Sequence, residues 1–155
     1  MFAVFHYTGK LNSTAQNRVD YYTRTYNTPC EITTAEHIVV NDQEAIVCIP
    51  LDEKARHVLN NTVTDTIWYG IDANDRSLGL DACYFSSRYK SSKSLDNACR
   101  IMAAACKSWD IDHWKHMFGH QDIQPCQSDP GNLLQACGFA STQMSIITHR
   151  VAHYL

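Results

Sequence analysis

The chain has no strong excess of either charge: 13 Lys and Arg stand against 16 Asp and Glu, a formal net charge of −3 with pI ≈ 6.2. Without a basic face to meet a polyanion, nucleic acid is not expected as a partner. No apolar run approaches the ~18 residues that span a bilayer, so membrane insertion is not expected either. The first residues lack a charged segment followed by an apolar one of signal-peptide length, which points to cytoplasmic synthesis without a signal peptide. The seven cysteines contain no CxxC pair and are widely spaced, which excludes a disulfide framework and a zinc-finger pattern. HExxH is absent, as is HxE followed by PCxxC, and two further classes of zinc hydrolase go with them. There is no internal repeat and no low-complexity segment. What remains is ordinary globular composition, 45% hydrophobic and 19% charged over 155 residues, which fits one domain with its own core.

Within that domain, the stretch from Phe118 to Gly131 is rich in chemistry. It holds His120, then Cys126 and Asp129, then Pro130-Gly131, so metal-capable groups lie on either side of a short loop. An open zinc site needs three protein ligands and leaves a fourth position for water. His6, at the tip of the apolar run Phe2 to Tyr7, is the best remote donor, and Asp129 and Cys126 are both candidates to complete the set. His113 and His116 have HxxH spacing but read as surface residues. The other cysteines lie among apolar neighbours and read as reduced core thiols.

Periodicity gives the rest of the frame. A strand over Phe2 to Tyr7 is followed by a helix from the Asn12-Ser13-Thr14 cap to about Thr25. Two strand-like runs, Thr33 to Val40 and Glu44 to Ile49, are joined by Asn41-Asp42-Gln43 as a hairpin. Asp52 to Leu59 is a short irregular or helical turn that carries His57. Asn60 to Arg76, with Trp68-Tyr69-Gly70 in its middle, reads as a long surface loop. Ser77 to Phe85 alternates as a strand with Asp81 inside it, where a lone carboxylate must be paired, with Arg76 or Arg88, or used. Ser94 reads as the cap of the clearest helix, whose apolar stripe runs from Leu95 through Met102 to Trp109. A short strand from Lys115 delivers His120. After Asn132 to Cys137 comes a segment, 141–155, with Met144, Ile147 and Val151 at helical spacing. Strands and helices in this order give an α/β domain with a central mixed β-sheet flanked by helices.

Four blocks then carry a resemblance: Val4-Phe5-His6-Tyr7-Thr8; Thr34-Ala35-Glu36-His37-Ile38-Val39-Val40 followed by Ile49-Pro50; Ser77-Leu78-Gly79-Leu80-Asp81; and Gly119-His120-Gln121-Asp122-Ile123 with Asp129-Pro130-Gly131. In this order they resemble the type 2 N-acetylmuramoyl-L-alanine amidases, the zinc enzymes that include phage endolysins and are related to peptidoglycan recognition proteins. The resemblance implies one catalytic domain over 1–155, with a central mixed sheet flanked by helices. It implies Zn²⁺ held by His6, His120 and Asp129, with bacterial peptidoglycan as the partner and a monomer as the working state. Asp81 falls where many members have a catalytic Glu, Glu36 where some have a Tyr near the metal, and His57 in the segment lining the substrate groove. Tyr7 and the Trp68-Tyr69 loop are expected to line the same groove. Many members have a Lys two residues before the third ligand to stabilise the oxyanion; this chain has Gln127, an amide that can donate a hydrogen bond but carries no charge. The expected reaction is hydrolysis of the amide between N-acetylmuramic acid and L-alanine. The expected setting is a phage endolysin, released from the host cytoplasm to the wall. A muropeptide-recycling amidase or a non-catalytic peptidoglycan-binding module of the same fold is the alternative.

Overall fold

Strands buried on both sides read as unbroken apolar runs, and β1 (Phe2–Tyr7) is one, with Ala3, Val4 and Phe5 all 0% exposed. The structure is a computed structural model that describes residues 1–28, 34–59, 70 and 72–155. Around β1 it arranges β2 (Ile38–Val40), β3 (Ala45–Val47), β4 (Ser77–Ala82) and β5 (Met117–Gly119) in the order β3-β2-β4-β1-β5. β2, β4, β1 and β5 run parallel, and β3 closes one edge antiparallel to β2. This is the mixed sheet expected from the sequence, hairpin included. The hairpin turn is held by Asn41, whose Oδ1 accepts from the backbone N–H of Gln43 at 2.7 Å and of Glu44 at 2.8 Å. The strands are shorter than the periodicity suggested: Thr33 lies outside the described residues, and β4 stops at Ala82.

Because side chains alternate along a strand, the register sorts residues onto two faces. Ala3, Phe5, Leu78, Leu80, Ile38 and Val40 share one face and belong to the main core. Three helices cover it: α2 (Arg88–Ser108), α4 (Gly131–Ala136) and α5 (Ser145–Tyr154). Leu95, Cys99 and Met102 of α2 are each 0% exposed there, as are Ile147 and Val151 of α5. The 141–155 segment is thus a packing helix preceded by a short turn. The opposite face carries Val4, His6, Gly79, Asp81 and Val39, and α1 (Ala15–Thr25) packs over part of it through Ala15 and Tyr22. Thr14 caps α1, its hydroxyl accepting from Asn17 N–H.

One helix boundary differs from expectation. α2 begins at Arg88 with Ser87 as its cap, and Ser94 lies inside it. The first turns, Arg88 to Lys93, are polar and show no apolar stripe. Inside the helix, Ser91 and Ser94 turn their hydroxyls to the end of β4 and the loop beyond it: Ser94 Oγ donates to Cys83 O at 2.6 Å and Ser91 Oγ to Phe85 O at 2.9 Å. These bonds lock the helix onto the sheet, where sequence reads Ser94 as a cap. Among the described residues no helix is long and apolar enough to cross a membrane.

Candidate metal centre and catalytic pocket

Sites in open parallel sheets form beyond the carboxyl ends of the strands, and this one does. His6 lies near the end of β1, paired in register with Asp81 of β4. Just past β5, the short helix α3 (His120–Ile123) starts with His120 itself. The chain then folds back: Gln121 N–H donates to the Asp129 carbonyl at 2.9 Å and Gly131 N–H to Ser128 O at 2.7 Å, which returns the Asp129 carboxylate to His120. The Asp129–Pro130 peptide is cis. His6 Nδ1 lies 2.7 Å and His120 Nδ1 3.0 Å from Asp129 Oδ2. One ligand atom from each of the three residues lies within 4.8 Å of the others. The expected trio is therefore brought together. Cys126 is exposed, and among the described residues its Sγ meets the Gln127 amide at 3.8 Å.

Hydrogen-bond accounting shows that these groups suit a cation. Ser77 Oγ lies 2.5 Å from the Ala73 carbonyl, so its proton goes there and the oxygen is left to accept. His57 Nε2 faces that oxygen at 3.1 Å and the Ser77 carbonyl at 3.4 Å, both acceptors, so it carries the proton of a buried neutral imidazole. His57 Nδ1 must then accept from His6 Nε2–H at 2.9 Å. His120 reaches the same state by another route. Gln124 is fixed by Leu59, whose N–H donates to Oε1 at 3.1 Å and whose carbonyl accepts from Nε2 at 2.9 Å. Its Oε1 therefore accepts from His120 Nε2–H at 2.6 Å. Both histidines thus turn a bare Nδ1 lone pair on one carboxylate oxygen. Three acceptors around one point repel unless a cation lies among them, and two imidazoles with one carboxylate are a donor set that zinc takes.

The titration of the same groups follows. Burial alone would lower the His120 pKa, but the Asp129 carboxylate outweighs it and the value is raised. Burial would raise the Asp129 pKa, but with no cation at the centre a proton on His120 or His6 facing the carboxylate would hold it well below the usual range. His57, fully enclosed and beside His6 and His37, is held well below the usual imidazole value. Gly79 makes room for it: a Cβ there would sit 2.5 Å from His57 Cγ.

The trio opens into a cavity of about 250 Å³ that Tyr7, Arg18, Glu36, His57, Gln127 and Ser128 also line. Tyr7 Oη accepts from Asn132 Nδ2 at 2.8 Å and lies 3.3 Å from Ser128 Oγ. Glu36 receives a short hydrogen bond from Tyr22 Oη and bonds from Arg18 Nη2 at 3.2 and 3.4 Å. Asp81 is 1% exposed and lies behind this wall. Its ion-pair partner is Arg18, with Nε 3.3 Å from Oδ2, in place of the Arg76 or Arg88 that proximity in sequence suggested. Burial first, and then the negative charge of Glu36, push the Asp81 pKa well above its ordinary value. Burial opposes the Arg18 charge, yet Glu36 and Asp81 together hold its pKa above normal. Trp68 and Tyr69 lie outside the described residues.

The order of these residues along the chain can now be set beside known proteins. The family model for N-acetylmuramoyl-L-alanine amidase matches residues 1–132. The chain belongs to the N-acetylmuramoyl-L-alanine amidase family. A curated member, the N-acetylmuramoyl-L-alanine amidase CwlL of Bacillus licheniformis, is 26% identical over 120 residues, 77% of this chain and 33% of that protein. This chain thus spans about a third of that relative's length. The fold matches the Staphylococcus aureus hydrolase AmiA, solved with its ligand, at TM-score 0.74 and 16% identity, covering 99% of this chain and 72% of that one. A mutant endolysin from Bacillus subtilis gives TM-score 0.71 at 17% identity, over 97% of this chain and 84% of that one. Enzymes of this family are generally zinc-dependent.

Within this family member, sequence reading missed Gln124, Arg18, Tyr22 and His37. Gln124 follows His120 by one helical turn, the spacing at which a side chain can reach back to a ligand, and that signal was available. His37 is buried, its Nδ1 accepting from Gly79 N–H at 3.0 Å and its Nε2 donating to the Glu53 carbonyl at 2.9 Å. Burial holds it below the usual imidazole range. It ties the approach to β2 onto β4 and fixes the strand beside Asp81. His113 and His116 stay outside the site, His113 tilted against Trp114 and His116 edge-on to Phe2.

Proposed function

We propose that this domain hydrolyses the amide joining the lactyl group of N-acetylmuramic acid to L-alanine in bacterial peptidoglycan, with zinc held by His6, His120 and Asp129. The observation that carries the reading is the pair of bare Nδ1 lone pairs converging on Asp129 Oδ2 beside an open cavity, in a chain of the amidase family. Zinc held there would supply Lewis acidity, acidifying water and polarising the substrate carbonyl. His57 and Gln124 keep both imidazoles turned toward the centre. The Glu36–Asp81 pair, joined by Arg18, takes a proton from the attacking water and returns it to the leaving amine of alanine. Water adds to the carbonyl carbon and the C–N bond breaks. The lactyl group leaves as a carboxylate and the peptide as a free amine. Gln127, on the cavity wall, offers an amide N–H to the carbonyl oxygen as charge builds. Tyr7, His57 and Trp68 serve the substrate groove.

The cavity is open to solvent, a form that suits a segment of a polymer better than an enclosed small molecule, and we read the biological setting as endolysin-type lysis of the wall. The test is product analysis on purified sacculi. Free N-terminal alanine and intact glycan chains are expected, lost with a chelator and restored by zinc. Products with a new reducing sugar end, or cleavage indifferent to chelation, contradict the reading. Activity confined to soluble muropeptides refutes the lytic role alone.

A further inference from the structure

Chemistry at an amide needs a firm hydrogen-bond donor facing the substrate oxygen, and Arg18 is the sole Lys or Arg among the described residues that line the cavity of the metal centre. The guanidinium is held from several directions. Nε donates to Tyr22 Oη at 3.0 Å and lies 3.3 Å from Asp81 Oδ2, while Nη2 donates to both Glu36 oxygens. The rings of Tyr21 and Tyr22 stand 5.2 and 5.1 Å from its carbon. Nη1 has no partner among the described residues. The side chain is 22% exposed and, together with Gly9, lines both the site cavity and an adjoining one of about 400 Å³. A gripped fork whose second NH₂ has no partner among the described residues is a preorganised donor, whereas a lysine is a point charge on a flexible stem.

Asp81 has the complementary geometry. It is 1% exposed, absent from the cavity wall, and neither of its oxygens receives a hydrogen bond in line. Its ion-pair partner among the described residues is Arg18.

We propose that Arg18 contacts the substrate, its Nη1 donating to a substrate oxygen, and that Asp81 acts through Arg18 as the residue that positions the guanidinium; the proton transfer assigned to the carboxylate pair then falls to Glu36 on the cavity wall. This rests on the amidase reading. Two substrate oxygens fit the donor: the oxygen of the scissile amide as it gains charge, and a carboxylate on the attached peptide.

The experiment compares wild type, Arg18→Lys, Asp81→Asn and the double variant. It measures kcat and KM on a soluble muramoyl peptide, zinc content, and Tm. Arg18→Lys keeps the charge, so the buried carboxylates are not left without a cation. If the scissile oxygen is the partner, kcat falls by about 10²- to 10³-fold with little change in KM. If the peptide carboxylate is the partner, KM rises with kcat kept, the loss disappears for a peptide amidated at that carboxylate, and metal-free variant binds the peptide more weakly than metal-free wild type. In either case Asp81→Asn moves the same parameter and adds little in the double variant. Wild-type kinetics in Arg18→Lys, independent additive losses, or losses that track zinc content or Tm overturn the proposal while leaving the amidase reading intact. A wild type that releases no alanine amine at all overturns both.

Discussion

One sheet has two faces of opposite chemistry. On the first, Phe5, Leu78 and Leu80 are fully buried against α2, α4 and α5. On the second, His6 and Asp81 alternate with those residues along the same strands; His6 meets His57 and Asp129, to which His120 also turns, and Asp81 meets Arg18. A period of two places neighbouring residues in different worlds, one held by apolar burial and the next by hydrogen bonds around a point of charge. The apolar face should therefore set stability and the polar face function, and each can be disturbed without the other.

The largest separation is expected from His120→Ala, which removes a donor at the centre. Zinc content and amide hydrolysis are lost together, while the circular dichroism spectrum and the apolar core survive. An inactive variant that still holds stoichiometric zinc would break the comparison. Leu80→Ala on the opposite face should do the reverse, costing roughly 2–5 kcal/mol in denaturant unfolding, with kcat per folded molecule unchanged. Gln124→Ala comes next: its amide orients His120, so zinc affinity is expected to fall about 10- to 100-fold by competition titration, with a smaller change in Tm. An unchanged affinity would remove Gln124 from the site's support.

The smallest effect is one of pH on the apolar face. Burial pushes the Cys99 thiol up to about 12 and the Cys106 thiol to about 11. An unfolded thiol ionises near ~8.5, so above that pH the unfolded chain releases protons that the folded chain keeps. Their contribution is fully present below that value and is lost as pH rises. Stability should decline by at most about 1.4 kcal/mol per thiol per pH unit between about 9 and 11. Cys99→Ala should flatten the decline in a series of melting curves; an unchanged slope would show that these thiols are not what responds.

How far each face was legible depends on how local its signal is. The unbroken apolar run Phe2 to Tyr7 and the alternation over Ser77 to Phe85 gave the strands. The stripe from Leu95 to Cys106 gave α2 but not its first turns, because Arg88 to Lys93 face outward or bond to backbone through serine hydroxyls. The spacing of His120, Cys126 and Asp129 around a Pro-Gly turn, with His6 at a strand tip, gave a set of candidate ligands, and the resemblance to the amidases drew the trio from it. Arg18 was not legible: on an amphipathic helix a polar residue reads as solvated, and only the packing of α1 over β2 turns it toward Glu36 and Asp81. Asp81 was flagged as a carboxylate in need of a partner, but the partner came from 63 positions away rather than from a neighbouring arginine. The spacing likewise left Asp129 and Cys126 both open, and the two are separated in space by the fold-back that Gln121 N–H makes to the Asp129 carbonyl, which carries the Asp129 carboxylate to both histidines and leaves Cys126 exposed.

That separation leads to the most direct measurement. Zinc is titrated into metal-free wild type, Asp129→Ala and Cys126→Ala, each checked for hydrolysis of purified peptidoglycan. The His6–His120–Asp129 centre requires Cys126→Ala to bind zinc and cleave as wild type does, while Asp129→Ala loses both. If Cys126→Ala loses the metal and Asp129→Ala keeps it, the centre is built from other atoms than those proposed.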